Sequence, residues 1–253
     1  MKESVHLVMP MAGHGSRFGK AGFDVPKPLI PLYGKPFFYW AVRSVTAFTK
    51  PLSLRFVVLA EHIEQYGIDR AIRREFPEAE ITALPEVTEG AVVTCMEGTR
   101  TITDEHPVVF NDCDHLFKST AFIRLCGEAP ASDGVLLTFR ARENKYSFVE
   151  KNEAGAVIRT AEKIAISDEA ICGCYYFRNT ALFRANAEQY LMHCNYSEYY
   201  MSGVYNTVIE NGGSVVSVPT DWHVPFGVPE EYELAKKDLH PGVRPHCKVV
   251  KCG

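Results

Sequence analysis

Two basic residues in and beside a glycine-rich run carry the first chemical signal of this chain. Val8-Met9-Pro10-Met11-Ala12-Gly13-His14-Gly15-Ser16-Arg17-Phe18-Gly19 follows a short apolar stretch. Glycines let a backbone approach a ligand closely, and exposed N–H groups form a concavity for phosphate oxygens. Arg17 can grip such oxygens through two parallel hydrogen bonds. Lys27 stands between Pro26 and Pro28, whose rings stiffen the backbone and suit it to be a fixed point charge. Two standard phosphate loops fail to fit. In G-x-G-x-x-G the third glycine would come one residue before Gly19. In G-x-x-x-x-G-K-[ST] a hydroxyl would follow Lys20, where Ala21 stands, and Gly15 and Gly19 are too close together. Taken singly, Arg17 and Lys27 read equally well as solvated turn residues.

Carboxylates form the second signal. Asn111-Asp112-Cys113-Asp114 follows the apolar run Pro107 to Phe110. Acids at the C-terminal end of a strand in an open α/β sheet lie where ligands bind. Mg²⁺ takes one or two carboxylates together with waters and phosphate oxygens. Asp112 and Asp114 are therefore the candidate metal ligands, Asp114 the preferred one, and Mg²⁺ is the expected cofactor. Thr88-Glu89-Gly90-Ala91 opens a helical pattern; alone, it is an N-terminal turn in which Glu89 favours the helix dipole. Glu162-Lys163 alone is a solvated pair.

Order along the chain gives these signals their weight. Pro10-Met11-Ala12-Gly13-x-Gly15-Ser16-Arg17-Phe18, then Pro26-Lys27-Pro28-Leu29-Ile30-Pro31-Leu32-x-Gly34-Lys35-Pro36, resembles the signature of the sugar-1-phosphate nucleotidyltransferase family. Its usual form is L-A-A-G-x-G-[ST]-R, a short gap, then P-K-P-L; Met11 replaces the commoner alanine. The resemblance spans about Val5 to Tyr232 and implies a Rossmann-like nucleotide-diphospho-sugar transferase fold. It also implies an NTP held by Met11, Ala12, Gly13, Gly15 and Ser16, with Glu89 and Gly90 at the base and ribose. Arg17, Lys27 and Lys163 become the catalytic set, Lys163 meeting the acceptor phosphate. Tyr146, Glu162 and Gly173 face the acceptor, and a metal-binding aspartate belongs at Asp112 or Asp114. The implied reaction joins the nucleoside monophosphate of an NTP to a phosphorylated small acceptor, in nucleotide-sugar and cell-surface polysaccharide synthesis. Base choice stays open, and so does a non-sugar acceptor such as phosphocholine, which a cytidylyltransferase would take.

One station departs from the pattern. Trp222-His-Val-Pro225-Phe-Gly227-Val-Pro229-Glu-Glu-Tyr232 resembles the closing W-x-D-x-G-T-P-E-D-L segment, but Pro225 fills the slot of the second metal-binding aspartate. Asp221 or His223 could substitute, or Asp112 and Asp114 could suffice. Two rival readings follow. A metal-dependent GT-A-type glycosyltransferase would use Asp112-x-Asp114 but has no need of the two loop cations. A non-catalytic nucleotide-sensing module would tolerate Pro225. The aromatic segment Ser197 to Tyr205 fits either core packing or an acceptor pocket.

Alternating strands and helices must position these groups. Ser4–Met9, Leu54–Ala60, Pro107–Asn111, Val135–Phe139 and Ala170–Phe177 read as strands, and Ser214–Pro219 as the last one. Helices are expected over Phe37–Phe48, Ile63–Phe76, Ala91–Ile102, Ala181–His193 and Glu198–Asn211. A turn at Glu153-Ala-Gly155 predicts a hairpin of Tyr146–Lys151 with Val157–Thr160. The expected architecture is a single doubly wound α/β domain over 1–253, with a mainly parallel, mixed sheet. Its nucleotide-binding half covers about 1–130 and its acceptor-binding half about 131–253.

Composition agrees with an ordinary globular chain: 253 residues, 46% hydrophobic and 23% charged, with net charge -4. That balance offers no basic footprint for nucleic acid or a membrane surface. The run Val5 to Met9 is too short for a signal-peptide core, so a cytoplasmic location is expected. Eight cysteines scattered through apolar segments suggest reduced core thiols. Cys172-Gly-Cys174 and Cys247-x4-Cys252 lack the usual spacing of a structural zinc site.

Overall fold

The computed structural model describes residues 5–47, 49–127 and 131–238. Ser4, Phe48, Cys247 and Cys252 lie outside the described residues. The first half of the chain runs β1 (His6–Pro10), α1 (Ser16–Lys20), a 3-10 turn (Lys27–Leu29), β2 (Pro31–Leu32), β3 (Lys35–Pro36), α2 (Phe37–Thr46), β4 (Ser53–Leu59), α3 (Ala60–Tyr66), α4 (Ile68–Glu75), β5 (Glu80–Leu84), α5 (Ala91–Thr99), β6 (Val108–Asn111), β7 (His115–Lys118) and α6 (Thr120–Gly127). The second half runs β8 (Gly134–Arg140), β9 (Ser147–Lys151), β10 (Val157–Glu162), β11 (Glu169–Phe177), α7 (Thr180–His193), α8 (Met201–Glu210), β12 (Val215–Pro219), β13 (Trp222–Pro225) and α9 (Pro229–Asp238).

One sheet joins both halves. Strands β6, β1, β4 and β5 lie side by side and parallel. Beside them β11 turns antiparallel, pairing Cys174 to Phe177 with β6 on one edge, and Glu169 to Ile171 and Tyr175 to Phe177 with β8 on the other. The hairpin β9–β10 and the parallel strand β12 complete the sheet. Successive residues of a strand face opposite sides, and β1 shows the result. Leu7 and Met9 enter the core under α2 and α4, while Val8 enters the core under α5, α7 and α8. Helix α2 buries Phe37, Phe38, Ala41, Val42 and Val45 on one stripe behind Pro36. A third, aromatic cluster of Phe18, Phe37, Phe226 and Tyr232 ties α1 to α2 and α9.

Two expectations change. The helix foreseen over 63–76 is two helices, because Gly67 at φ 62° ends α3 in the left-handed region. The strand ending at Pro219 is not the last: β13 follows and pairs antiparallel with β7, a short ribbon outside the main sheet. The cysteines of the described core agree with the reading, Cys95, Cys113, Cys172 and Cys174 being buried free thiols. Among the described residues no helix is long and apolar enough to cross a membrane.

Candidate active site

The glycine-rich run leaves β1 as an irregular loop and turns into α1. Gly15 takes φ 60°, and a Cβ there would stand 2.8 Å from Cβ of Lys27. The loop therefore lies directly on the Pro26-Lys27-Pro28 turn, a contact that a glycine permits at low strain. Phe18 is buried and anchors α1, which leaves Arg17 exposed at the rim of a cavity of about 270 Å³. The Lys27 ammonium reaches into that cavity and donates to Oδ2 of Asp114 at 2.8 Å.

Asn111 holds the acidic turn in place. Its buried amide donates to the Ala41 carbonyl at 3.1 Å and accepts from Nε2 of His115 at 3.0 Å. The Asp112 N–H donates to the Gly173 carbonyl at 2.9 Å. Gly173 has φ 87°, and a Cβ on it would come within 2.6 Å of Oδ2 of Asp112. Burial opposes charge on Lys27, yet Asp114 beside it raises its pKa above the ordinary lysine value. Burial likewise opposes charge on Asp114, but the Lys27 charge and hydrogen bond hold that carboxyl below the usual range. Asp112 is pushed up to about 7 by burial and by the neighbouring Asp114 and Glu162, with Lys27 only partly offsetting them.

This donor set fits a hard cation. Two carboxylates on one turn, one of them crowded by like charge with too little positive charge nearby, offer oxygen ligands of the kind Mg²⁺ takes. Among the described residues no cluster of three or more His, Cys, Asp or Glu could hold a metal alone, so substrate oxygens would have to complete the shell. Pro225 lines the cavity opposite His115 in the β13–β7 ribbon and brings no ligand. Asp221 sits at the far end of that ribbon, its carboxylate taken by the N–H and hydroxyl of Thr120. His223 does line the wall, but both its ring nitrogens are buried and find no hydrogen-bond partner among the described residues. Burial, then the neighbouring His115, hold it well below the ordinary histidine value. Burial pushes His115 down to about 4.

The opposite wall comes from the second half of the chain. Glu162 is buried and accepts from the hydroxyls of Ser147 and Ser202. Tyr146 donates to Oε1 of Glu231 on α9 at 2.9 Å. Lys163 is exposed, at φ 56°, its ammonium on the Tyr200 hydroxyl at 2.6 Å and 4.4 Å from that ring's centroid. That hydrogen bond raises the Lys163 pKa. Tyr200 does line the cavity, so the aromatic segment that the sequence left open contributes to both wall and core.

Of the residues singled out by sequence, the structure brings Arg17, Lys27, Asp112, Asp114, Tyr146, Glu162 and Gly173 to one cavity. Met11 and Ala12 are buried, Gly13 is exposed on the loop and Ser16 is exposed at the start of α1; none of these four, nor Gly15, is among the residues that line the cavity. Glu89 and Gly90 lie at the entry to α5, where Gly90 packs against the Tyr199 backbone and Ala91 reaches the wall. The sequence reading missed Lys145 and Glu231, which meet across 86 positions. Only the family-like Pro-Glu-Glu run at 229–231 hinted that the second of them has a place here.

The family model for nucleotidyl transferases matches residues 7–223. A nucleoside-diphosphate-sugar pyrophosphorylase from Vibrio cholerae RC9 superposes with a TM-score of 0.79 at 25% identity, covering 91% of this chain and 99% of its own. The inositol-1-phosphate CTP transferase from T. maritima gives 0.74 at 15% identity, over 94% and 96% of the two chains. A UDP-glucose pyrophosphorylase, solved with UDP-glucose, gives 0.73 at 17% identity, over 92% and 97%. The last two likenesses speak for the fold alone. No curated protein matches by sequence.

Proposed function

The chain belongs to the nucleotidyl transferase family, and from this premise we propose that it moves the nucleoside monophosphate of an NTP onto a sugar 1-phosphate or similar phosphorylated small acceptor, releasing pyrophosphate. The observation that carries this reading is the Lys27–Asp114 contact beneath the Gly15 loop. A cation, a metal-type acid and a glycine-rich backbone converge at the C-terminal ends of parallel strands, where an open α/β sheet binds its ligand. The likeness to a nucleoside-diphosphate-sugar pyrophosphorylase supports a sugar phosphate as the acceptor class. We place the reaction in the cytoplasm, as a step toward nucleotide sugars or related activated polyols for surface polysaccharides.

Asp112 and Asp114 would hold Mg²⁺, which supplies electrostatic stabilisation of triphosphate charge. Arg17 and the loop N–H groups bind the β- and γ-phosphates, and Lys27 offers its ammonium to the α-phosphoryl oxygens. An acceptor phosphate oxygen forms a bond to the α-phosphorus as the bond to the β-phosphate oxygen breaks. The attacking phosphate is already anionic near neutral pH, so no side chain has to remove a proton. Catalysis then rests on positioning and charge neutralisation. Glu162 and Tyr146, both fixed by hydrogen bonds, shape the acceptor wall.

A pyrophosphate-release matrix tests the reading: five NTPs against sugar phosphates, inositol phosphate and phosphocholine, with and without Mg²⁺. Magnesium-dependent pyrophosphate from one NTP and one acceptor is the expected outcome. Nucleoside diphosphate released from a sugar nucleotide instead would make the chain a glycosyltransferase. NTP binding with no turnover across the panel would make it a sensor.

A further inference from the structure

The acceptor wall contains a lysine to which no motif assigns a role. Lys145 precedes β9 and its ammonium donates to Oε1 of Glu231 at 2.7 Å, 4.8 Å from the centroid of the Tyr146 ring. Glu231 also accepts from the Tyr146 hydroxyl at 2.9 Å and, through Oε2, from the Gly227 N–H at 3.0 Å. A Cβ on Gly227 would stand 2.6 Å from Oδ2 of Asp114 and 3.6 Å from Oε2 of Glu231. Two lysine–carboxylate pairs therefore flank Gly227 in one cavity: Lys27–Asp114 from the nucleotide half, and Lys145–Glu231 from the acceptor half.

Two lysines of the acceptor half, Lys145 and Lys163, contact side chains of this cavity and are held differently. Lys163 has its ammonium seated on the hydroxyl and ring of Tyr200, which lines the cavity. Lys145 lines the cavity, and its side chain is 43% exposed. The lysine end of its pair with Glu231 is open while the carboxylate is mostly covered, 12% exposed, so a dianionic phosphate can reach the ammonium and compete for it. Glu231 is not stranded by the exchange, because Tyr146 and the Gly227 N–H remain bonded to it.

We propose that Lys145 is a cation that receives the acceptor phosphate, leaving Glu231 for a phosphate oxygen next to the metal-type acids. The inference rests on the nucleotidyltransferase reading for calling the anion an acceptor, but the site itself is tested with inorganic phosphate.

Phosphate is titrated calorimetrically into the full chain carrying Arg17→Gln, so that the loop fork does not compete. Adding Lys145→Gln should weaken phosphate at least tenfold, and Lys145→Arg should keep it within about threefold. An unchanged affinity in Lys145→Gln, a loss in Lys145→Arg as deep as in Lys145→Gln, or no phosphate binding by the Arg17→Gln chain would overturn the proposal. Arginine rescue separates a charge contact from a folding defect. Failure of the wider reading looks different: Arg17→Gln would then leave NTP affinity untouched.

Discussion

At the scale of single residues, the site is a small set of charges that hold one another in unequal states. Lys27 keeps Asp114 ionised, and only partly relieves the crowding on Asp112. Its loss removes a cation from the developing transition-state charge, so Lys27→Ala should lower kcat by a factor of about 10²–10³. Steady-state pyrophosphate release in a variant of normal circular dichroism checks this; an unchanged kcat would remove Lys27 from the chemistry. His223 gives a prediction of opposite character. Its folded pKa lies well below the ordinary value of about 6.5, so on acidification the unfolded chain takes up the proton first. Stability from this group is complete above about pH 6.5 and declines below it, by up to about 1.4 kcal/mol per pH unit. His223→Phe, whose ring can pack on Phe139 as the imidazole does at 4.4 Å, should reduce the pH slope of thermal melts between pH 6.5 and 5, leaving the part that His115 contributes. A wild-type slope in that variant would show that His223 is not the group responsible.

At the scale of elements, the decisive contact is the loop after β1 lying on the 3-10 turn of Lys27. Gly15→Ala meets two obstacles: a left-handed backbone, costing about 1–2 kcal/mol, and a methyl 2.8 Å from Cβ of Lys27. Gly22 shares the first obstacle at φ 84° but has nothing within 4 Å. Both alanine variants should melt a few degrees lower, but only Gly15→Ala should raise the KM for NTP more than tenfold. Equal KM values in the two would detach the loop contact from nucleotide binding. The same elements show what a sequence reveals. Long periodic segments such as α2, α5 and α7 were legible because their buried faces repeat locally. Strands β7 and β13 were not, since each has four residues and finds its partner about a hundred positions away. Lys145 and Glu231 stayed hidden for the same reason, whereas Arg17, Lys27 and the Asp112–Asp114 turn follow strand ends that their own sequences announce. Lys163 was legible as a motif, but its left-handed backbone and its seat on Tyr200 come from tertiary packing.

At the scale of the whole molecule, the cavity lies at the seam where the parallel half of the sheet meets the antiparallel half, at β6 and β11. Arg17 and Lys27 come from the segment after β1, the acids from the end of β6, and Tyr146 and Glu162 from the β9–β10 hairpin. Glu231 comes from α9, and Tyr232 beside it packs 6.3 Å from Phe18 of the loop helix. A ligand bound there touches elements spread over more than 200 positions of a chain whose net charge of -4 gives it no general affinity for anions. Binding must therefore be local, and it must stabilise the folded state as a unit. At a ligand concentration of 100 Kd the gain is about 2.7 kcal/mol, which in a domain of this size corresponds to roughly 5–10 °C in Tm. Thermal melts with millimolar NTP and Mg²⁺ should show a rise of that size for the preferred base and less for the others. Arg17→Gln or Lys27→Ala should cut the rise to less than half at the same concentration. If no NTP moves the melting temperature of the unaltered chain, the cradle between Met11 and Pro28 does not seat a triphosphate.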